Sequence, residues 1–487
     1  MSMYQMNMLM LVEVVSRLSP PLQAFVCSAG GFGYHTFEEA VKRNDVPACV
    51  IIPCNQGRGL PCPMYAPVRV QMKPAGKHRV IPTRAQVILS RKAILQRGES
   101  EDRWMGYRNV RVEGCGSSSM PAIASSMVNT LEVSGFENVS NIGSRCMSFM
   151  KNLKVLDVSA FTNVTHIGDF FLSGCEALCE IDLAPFNRVI SIGSSFLSQN
   201  QKLTIVDLSS MVALKTVGDS LCDGDLSLKS LKLPRIARLK VGKKFAYYCQ
   251  SLTDVDLSVV GRISCSDSMI TSCVALQSIS LEPFKDMTTI PSSFLSDSGP
   301  SILDLGPLCN VTRAQDYAFL SMKNLGVLDL TPLSNITTID SCFFAACSLL
   351  TSIDLSPLSN VTSVGYGFFK QCTGLLAVDL SPMDKVAVFG DDLLVCCTAM
   401  QSVVLPKWNS TTVPARFLGY CKNLQSIDLT PLTGVTKVKD YFLTGCTSLG
   451  DIDLGPLSNV TNVGCEFIRD SRCSPYRIKK PSSQKKN

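Results

Sequence analysis

The sequence predicts an α/β solenoid: short coils stacked on one another, with a parallel sheet along one side. Three observations predict it. A residue pattern returns every 24 or 25 positions, a strand-like alternation sits at the same point of each return, and a proline followed by a glycine ends the strand and turns the chain.

The return is marked by one residue, Asp354, in Ser-Ile-Asp-Leu-Ser-Pro-Leu-Ser. Its equivalents are Glu132, Asp157, Asp182, Asp207, Lys232, Asp256, Ser280, Asp304, Asp329, Asp379, Val404, Asp428 and Asp453, which makes fourteen units over residues 116–468. Each unit opens with Leu-x-x-Ile-x-Leu, as in Leu350, Ile353 and Leu355. Alternation puts Ile353 and Leu355 on one face and Asp354 on the other, which is the pattern of a short strand.

A stop follows. Pro185, Pro283, Pro307, Pro332, Pro357, Pro382, Pro431 and Pro456 all lie three residues after the anchor. Proline has no N–H for a neighbouring strand, so the ladder ends there. The remainder of each unit reads as a turn and a short helical or 3₁₀ segment. Gly143, Gly168, Gly193, Gly218, Gly365, Gly390 and Gly464 share one position, where a positive φ is expected. Asp169, Ser194, Asp219 and Asp391 come next, as an N-cap would. Phe171, Phe196, Phe343, Phe368, Phe442 and Phe467 then point inward.

The unit closes on Cys175, Cys249, Cys273, Cys347, Cys372, Cys397, Cys421 or Cys446. A cysteine that recurs at one position packs as a small hydrophobe. A redox or metal ladder would need a break in the pattern to mark a working pair, and Cys396–Cys397 is the one adjacent doublet. No unit can bury both its strand and its turn alone, so stacking supplies one continuous core.

The wording Leu-x-x-Ile-x-Leu with Pro-x-x-x-x-Val-x-x-Ile-Gly-x-x-Phe-x-x-x-Cys, approximated in Val155–Cys175 and Ile353–Cys372, resembles the BspA-like (Treponema-type) leucine-rich repeat over about 130–468. Asp-Leu-Ser-Pro-Leu-Ser-Asn-Val-Thr is similar to such proteins of trypanosomatids and other single-celled eukaryotes. The resemblance implies a right-handed coil with a parallel concave sheet and short helical or 3₁₀ segments on the convex side. It also implies that the anchor residue points away from the core onto the concave face. Members of that family range from surface adhesins to intracellular proteins.

The ends differ from the array. Residues 1–115 carry 15 Lys/Arg against 8 Asp/Glu and residues 466–487 carry 7 against 2, which leaves 24 against 30 between them. A basic N-terminal region of mixed structure over 1–115, a possible cap, and a basic disordered tail over 469–487 therefore flank a slightly acidic array. Phe37–Lys42 reads as a helix, and Pro47–Pro53, Val68–Val70 and Val87–Leu89 read as strands. Cys49, Cys54 and Cys62 with His78 lack the paired C-x2-C spacing of a zinc site and read as free thiols. The seven cations from Lys73 to Arg97 read as an exposed basic face or as one that meets the acidic array.

Met1–Gly30 makes a poor signal peptide because Glu13 and Arg17 interrupt its apolar run, and no apolar stretch approaches the ~18 residues of a membrane span. The expectation is a cytoplasmic protein with reduced thiols. The alternative is a surface or secreted one whose signal peptide lies outside this sequence.

The candidate binding residues are the charged anchors Asp157, Asp182, Asp207, Lys232, Asp256, Asp304, Asp329, Asp354, Asp379, Asp428 and Asp453. Two unit charges ~5 Å apart repel by roughly 0.8 kcal/mol even at the dielectric of water, so a stacked row needs an offset. Hydrogen bonds from neighbouring Ser, Thr or backbone groups, such as Ser352 and Ser356, are one offset, and a basic partner along the row is the other. Lys232, with Lys229, Arg235, Arg238, Lys240, Lys243 and Lys244 around it, reverses the charge. It fixes a ligand's register, relieves repulsion, or is drift within a repeat.

Asn138, Asn163, Asn310, Asn335, Asn360, Asn409 and Asn459 each begin Asn-x-Ser/Thr. Six lie six residues past an anchor, so a structural turn explains them as well as glycan acceptors do. Histidine occurs only at His35, His78 and His166, and no catalytic or phosphate-loop pattern is present. The sequence therefore predicts a non-enzymatic scaffold that binds another protein, one with a basic segment, and the alternative is a surface adhesin. It predicts no cofactor, metal or small-molecule substrate, and no nucleic-acid partner.

Overall fold

The computed structural model describes residues 128–471 in full and, before them, the backbone of short strands alone. The helix expected at 37–42, Cys54, Cys62 and His78 of the zinc candidates, most of the cationic run 73–97 and the tail beyond 471 lie outside the described residues. Cys49 falls in the strand Cys49–Ile52, and parts of the run in Pro67–Pro74 and Ala85–Ser90, of which the backbone alone is described. The chain is a solenoid of about 13 turns, built from parallel strands and 3₁₀ turns. It divides into two compact units, 1–236 and 237–487.

In the first unit, coil lies on coil at an offset of one repeat. The two-residue strands Asn141–Ile142, His166–Ile167, Ser191–Ile192 and Thr216–Val217 pair in parallel, Asn141 facing His166, His166 facing Ser191, and Ser191 facing Thr216. Ile142, Ile167, Ile192 and Val217 point inward and are buried. In the second unit the same row holds a five-stranded run from Thr289–Ile290 to Val388–Phe389, and a three-stranded one from Thr412–Val413 to Asn462–Val463.

This ladder lies just before the repeat glycine. The ladder expected at every anchor is discontinuous, and proline explains where it fails. All eight prolines sit inside a 3₁₀ turn directly behind the anchor, as in Ser356–Leu358, where the Leu358 N–H donates to the Leu355 carbonyl at 2.9 Å. Proline's fixed φ presets that turn and takes the chain off the extended path. Where another residue replaces it (Ala160, Ser210, Arg235, Val259, Lys407) strands form at or beside the anchor: Val155–Asp157, Ile205–Asp207, Ser230–Lys232, Asp254–Val255 and Ser402–Val404. Among the proline units only Ala377–Asp379 is a strand, held by its pairing with Ser402–Val404.

The segment from glycine to cysteine is not helical. Left-handed residues recur at every second position, as at Ser195 (φ 57°), Leu197 (φ 54°) and Gln199 (φ 62°). Their N–H groups reach neighbouring coils: Ser195 donates to the Asp219 carbonyl at 2.7 Å, Leu197 back to Phe171 at 3.0 Å, and Gln199 to Asp223 at 2.8 Å. A left-handed non-glycine residue costs roughly 1–2 kcal/mol, so this run persists because its backbone groups are satisfied by the coils on either side.

The repeat glycines also have another cause than the expected one. Gly193 and Gly365 do not have positive φ. A Cβ on Gly193 would lie 2.6 Å from the Asp169 nitrogen, and one on Gly365 would lie 2.7 Å from the Asp340 carbonyl carbon. At Gly193 and Gly365 glycine lets successive coils touch backbone to backbone, whereas a Cβ on Gly143 would meet nothing within 4 Å.

Phenylalanine columns fill the interior. Phe136, Phe161 and Phe186 follow one another at 6.0 Å, and Phe319, Phe344 and Phe369 at 5.7 Å. Of the six aromatics expected to point inward, five are fully buried and Phe467, in the last described coil, is partly exposed.

Candidate functional site: the anchor row

Every aspartate of the anchor row makes the same local bond. Oδ1 accepts the backbone N–H two residues on, at 2.8–3.0 Å, in Asp157, Asp182, Asp207, Asp256, Asp304, Asp329, Asp354, Asp379, Asp428 and Asp453. This is an Asx turn, and in the proline units it orders the first residue of the 3₁₀ turn. Ser280 does the same with its hydroxyl, accepting the Glu282 N–H at 3.4 Å. Hydroxyls add to it where present: Ser258 Oγ donates to Asp256 at 2.5 Å and Thr430 Oγ1 to Asp428 at 2.6 Å.

These bonds hold charge. The Thr331, Ser356 and Thr430 hydroxyls, followed by the backbone N–H groups, keep Asp329, Asp354 and Asp428 below the usual carboxylate range, although the Asp329 charge opposes this at Asp354. Burial raises Asp207, but hydrogen bonds from Ser209 and the Lys232 charge outweigh it. Local hydrogen bonding thus meets the repulsion anticipated for the row.

In the first unit Lys232 faces Asp207 across a ladder pair, with Nζ 3.3 Å from Oδ2. The charge reversal relieves repulsion at this step. In the second unit Asp304, Asp329, Asp354, Asp379, Asp428 and Asp453 are exposed, and among the described residues none pairs with a cation. Ile302 and Val327, two residues before Asp304 and Asp329, share that outward face and are 80% and 78% exposed. The row breaks at Val404, which is itself exposed.

The remaining repeated polar residues tie coil to coil. Asp169 Oδ1 accepts the Ser194 N–H at 2.7 Å and Asp391 Oδ1 the Ala415 N–H at 2.9 Å, so the expected N-caps serve the next coil rather than a helix of their own. Asn163, Asn310, Asn335, Asn360 and Asn459 donate their amide to a carbonyl of the preceding coil at 2.7–3.0 Å, which gives them a structural role. The described cysteines are free thiols. Cys372 donates to the Phe344 carbonyl at 3.0 Å, and Cys175, Cys273, Cys347, Cys397, Cys421 and Cys446 repeat the bond. Burial pushes the Cys175 and Cys347 thiols up to about 12, which disfavours thiolate chemistry.

One cluster was not anticipated. Asp392, 2% exposed and left-handed at φ 62°, accepts from Tyr366 Oη at 2.5 Å and Lys370 Nζ at 2.8 Å, and also pairs with Arg416. Burial raises its carboxyl, but Lys370, Tyr366 and Arg416 more than offset this and hold it low. Tyr366, Lys370 and Arg416 lie 22 to 26 residues from Asp392, and only the coil period brings them to it. Among the described residues no group of three or more His, Cys, Asp or Glu could hold a metal ion, and no helix is long and apolar enough to cross a membrane.

Coils of 24 or 25 residues, parallel two-residue strands and a cysteine column coincide with a family profile. The profile of the BspA-type leucine-rich repeat region matches residues 124–253, 239–376 and 337–474. The chain belongs to the BspA-type leucine-rich repeat family. This BspA-type repeat protein is similar to several solved structures. A leucine-rich repeat protein from Bacteroides ovatus is 20% identical, with 72% of this chain and 78% of that one covered and a TM-score of 0.46. A leucine-rich cell surface protein from Faecalibacterium prausnitzii is 17% identical, with 78% and 95% covered and a TM-score of 0.35. The pneumococcal vaccine antigen PcpA is 13% identical, with 74% and 83% covered and a TM-score of 0.40. No curated protein matches.

Proposed function

We infer that this repeat protein is a non-enzymatic scaffold that binds another protein along the outward face of its anchor row. The observation that carries this reading is the unpaired acidic run of the second unit, Asp304, Asp329, Asp354 and Asp379 in successive coils, with exposed Ile302 and Val327 beside it. A carboxylate whose Oδ1 is committed to an Asx turn is fixed in place, and so it can meet a cation without first losing side-chain freedom. Aliphatic side chains between fixed acids suit an extended segment bearing basic and apolar residues.

The test is affinity capture from the native cell with wild-type protein and with D329N/D354N, washed at low and at high salt. The reading expects a partner that the double variant loses at low salt and whose capture falls as salt rises. Equal capture by both proteins would remove the acidic row from binding.

A further inference from the structure

The cysteine column holds two polar residues in succession, Asn200 and Asp225, where other coils have Cys175 or Cys273. Asn200 shows what this position does when its side chain has two polar atoms. Its Oδ1 accepts the Cys175 N–H of the preceding coil at 2.7 Å. Its Nδ2 donates to the Leu172 carbonyl, 28 residues upstream, at 3.1 Å, and to the Leu197 carbonyl at 2.7 Å. Ser298 likewise donates to the Ile270 carbonyl, 28 residues upstream, at 2.7 Å. The polar residues of this position, like its cysteines, donate to a carbonyl one coil upstream, and in Asn200 the second polar atom accepts.

Asp225 repeats half of the pattern. Its Oδ1 accepts the Asn200 N–H at 2.6 Å, as Oδ1 of Asn200 accepts from Cys175. Its residue is wholly buried, and Oδ2 has no hydrogen-bond partner among the described residues. Counting 28 residues back, as for Asn200, gives the Leu197 carbonyl, and a carbonyl oxygen has two lone pairs. An ionised carboxylate can only accept, whereas a carboxylic acid has one accepting and one donating oxygen, like the amide of Asn200.

We propose that Asp225 is a carboxylic acid in the folded protein, donating its proton to the Leu197 carbonyl, and that losing this proton to solvent loosens the coil as pH rises. The other titratable group acting on it is Asp223 of its own coil, and Asp225 in turn acts on Cys222; the preceding coil presents Asn200 and the Leu197 carbonyl. Burial drives the Asp225 carboxyl well above its ordinary range, and the Asp223 charge adds to this against the Asn200 hydrogen bond. A carboxyl raised in the folded state contributes its full stability below about pH 3.9. That contribution is lost as pH climbs towards the folded value, because the unfolded chain gives up its proton first.

D225N supplies the acceptor and donor with nothing to titrate. Amide exchange is followed at Asn200, whose N–H is bound to Asp225, and at Leu228, whose N–H donates to the Asp225 carbonyl at 3.1 Å. The wild-type to D225N ratio of exchange rates is expected to grow up to tenfold per pH unit between about pH 5 and about pH 8. The infrared difference between the two proteins at neutral pH is expected to show a carboxylic acid carbonyl. A flat ratio, or a carboxylate band in that difference, overturns the proposal. D225C, the residue of the neighbouring columns, replaces D225N if the latter fails to fold. If both fail, the wild-type spectrum decides by whether an acid carbonyl persists at neutral pH.

Discussion

Cys372 Sγ donates to the carbonyl of Phe344, 28 residues upstream and one coil away, at 3.0 Å. Phe344 stacks on Phe369 of the next coil, so the thiol closes a layer that aromatic packing builds. C372A leaves the carbonyl unpaired and a small void, and is expected to cost about 1–3 kcal/mol. C372S keeps the donor, as Ser298 does at its own position, and is expected to stay within about 1 kcal/mol of wild type. Urea unfolding of the two variants checks the order; a serine variant as weak as the alanine one would show that volume, not donation, selects cysteine.

Gly365 lies against the backbone of Asp340 and Ser341, with no room for a methyl group, whereas a Cβ on Gly434 would meet nothing within 4 Å. Neither glycine has positive φ. G365A is expected to cost about 1–3 kcal/mol through overpacking. G434A is expected to be neutral or to gain about 0.4–1 kcal/mol by reducing unfolded-chain entropy. Thermal unfolding separates them.

The Asx turns give the acid limb of stability a sign. Asp354 and Asp428 are held low chiefly by the Ser356 and Thr430 hydroxyls, then by the backbone N–H groups. A carboxyl lowered in the folded state contributes fully above its unfolded value of about 3.9, and the contribution disappears as pH falls through the folded value. D354N and D428N retain a turn-forming oxygen without titrating, so each is expected to flatten the fall in Tm between about pH 4 and about pH 2. An unchanged acid limb in both variants would contradict the assignment.

Asp392 joins Lys370, Tyr366 and Arg416 at a position with little solvent access. D392N tolerates the left-handed backbone but surrenders the charge, and is expected to cost about 1.5–3 kcal/mol. A double-mutant cycle with R416Q is expected to show a coupling of about 0.5–3 kcal/mol. Additive losses would mean that the ion pair contributes nothing beyond its members.

What the sequence by itself determined is whatever one coil can specify. The 24- or 25-residue period, the inward Leu355 and Phe368, and the turn at Pro357 are local and recur from coil to coil, so they were legible. So was the exposed anchor face, since alternation sets Asp354 opposite Ile353. The tertiary structure decided everything that needs the coil above or below. It placed the five-stranded ladder at Thr338–Ile339 and its equivalents, gave Gly365 its reason, turned Asp169 from a cap into a tie, and gathered the Asp392 cluster. The physical reason is that a coil cannot satisfy its own backbone. Its N–H and C=O groups find partners about 25 residues away, and local periodicity reports which side chains face inward but not which neighbouring atom each one meets.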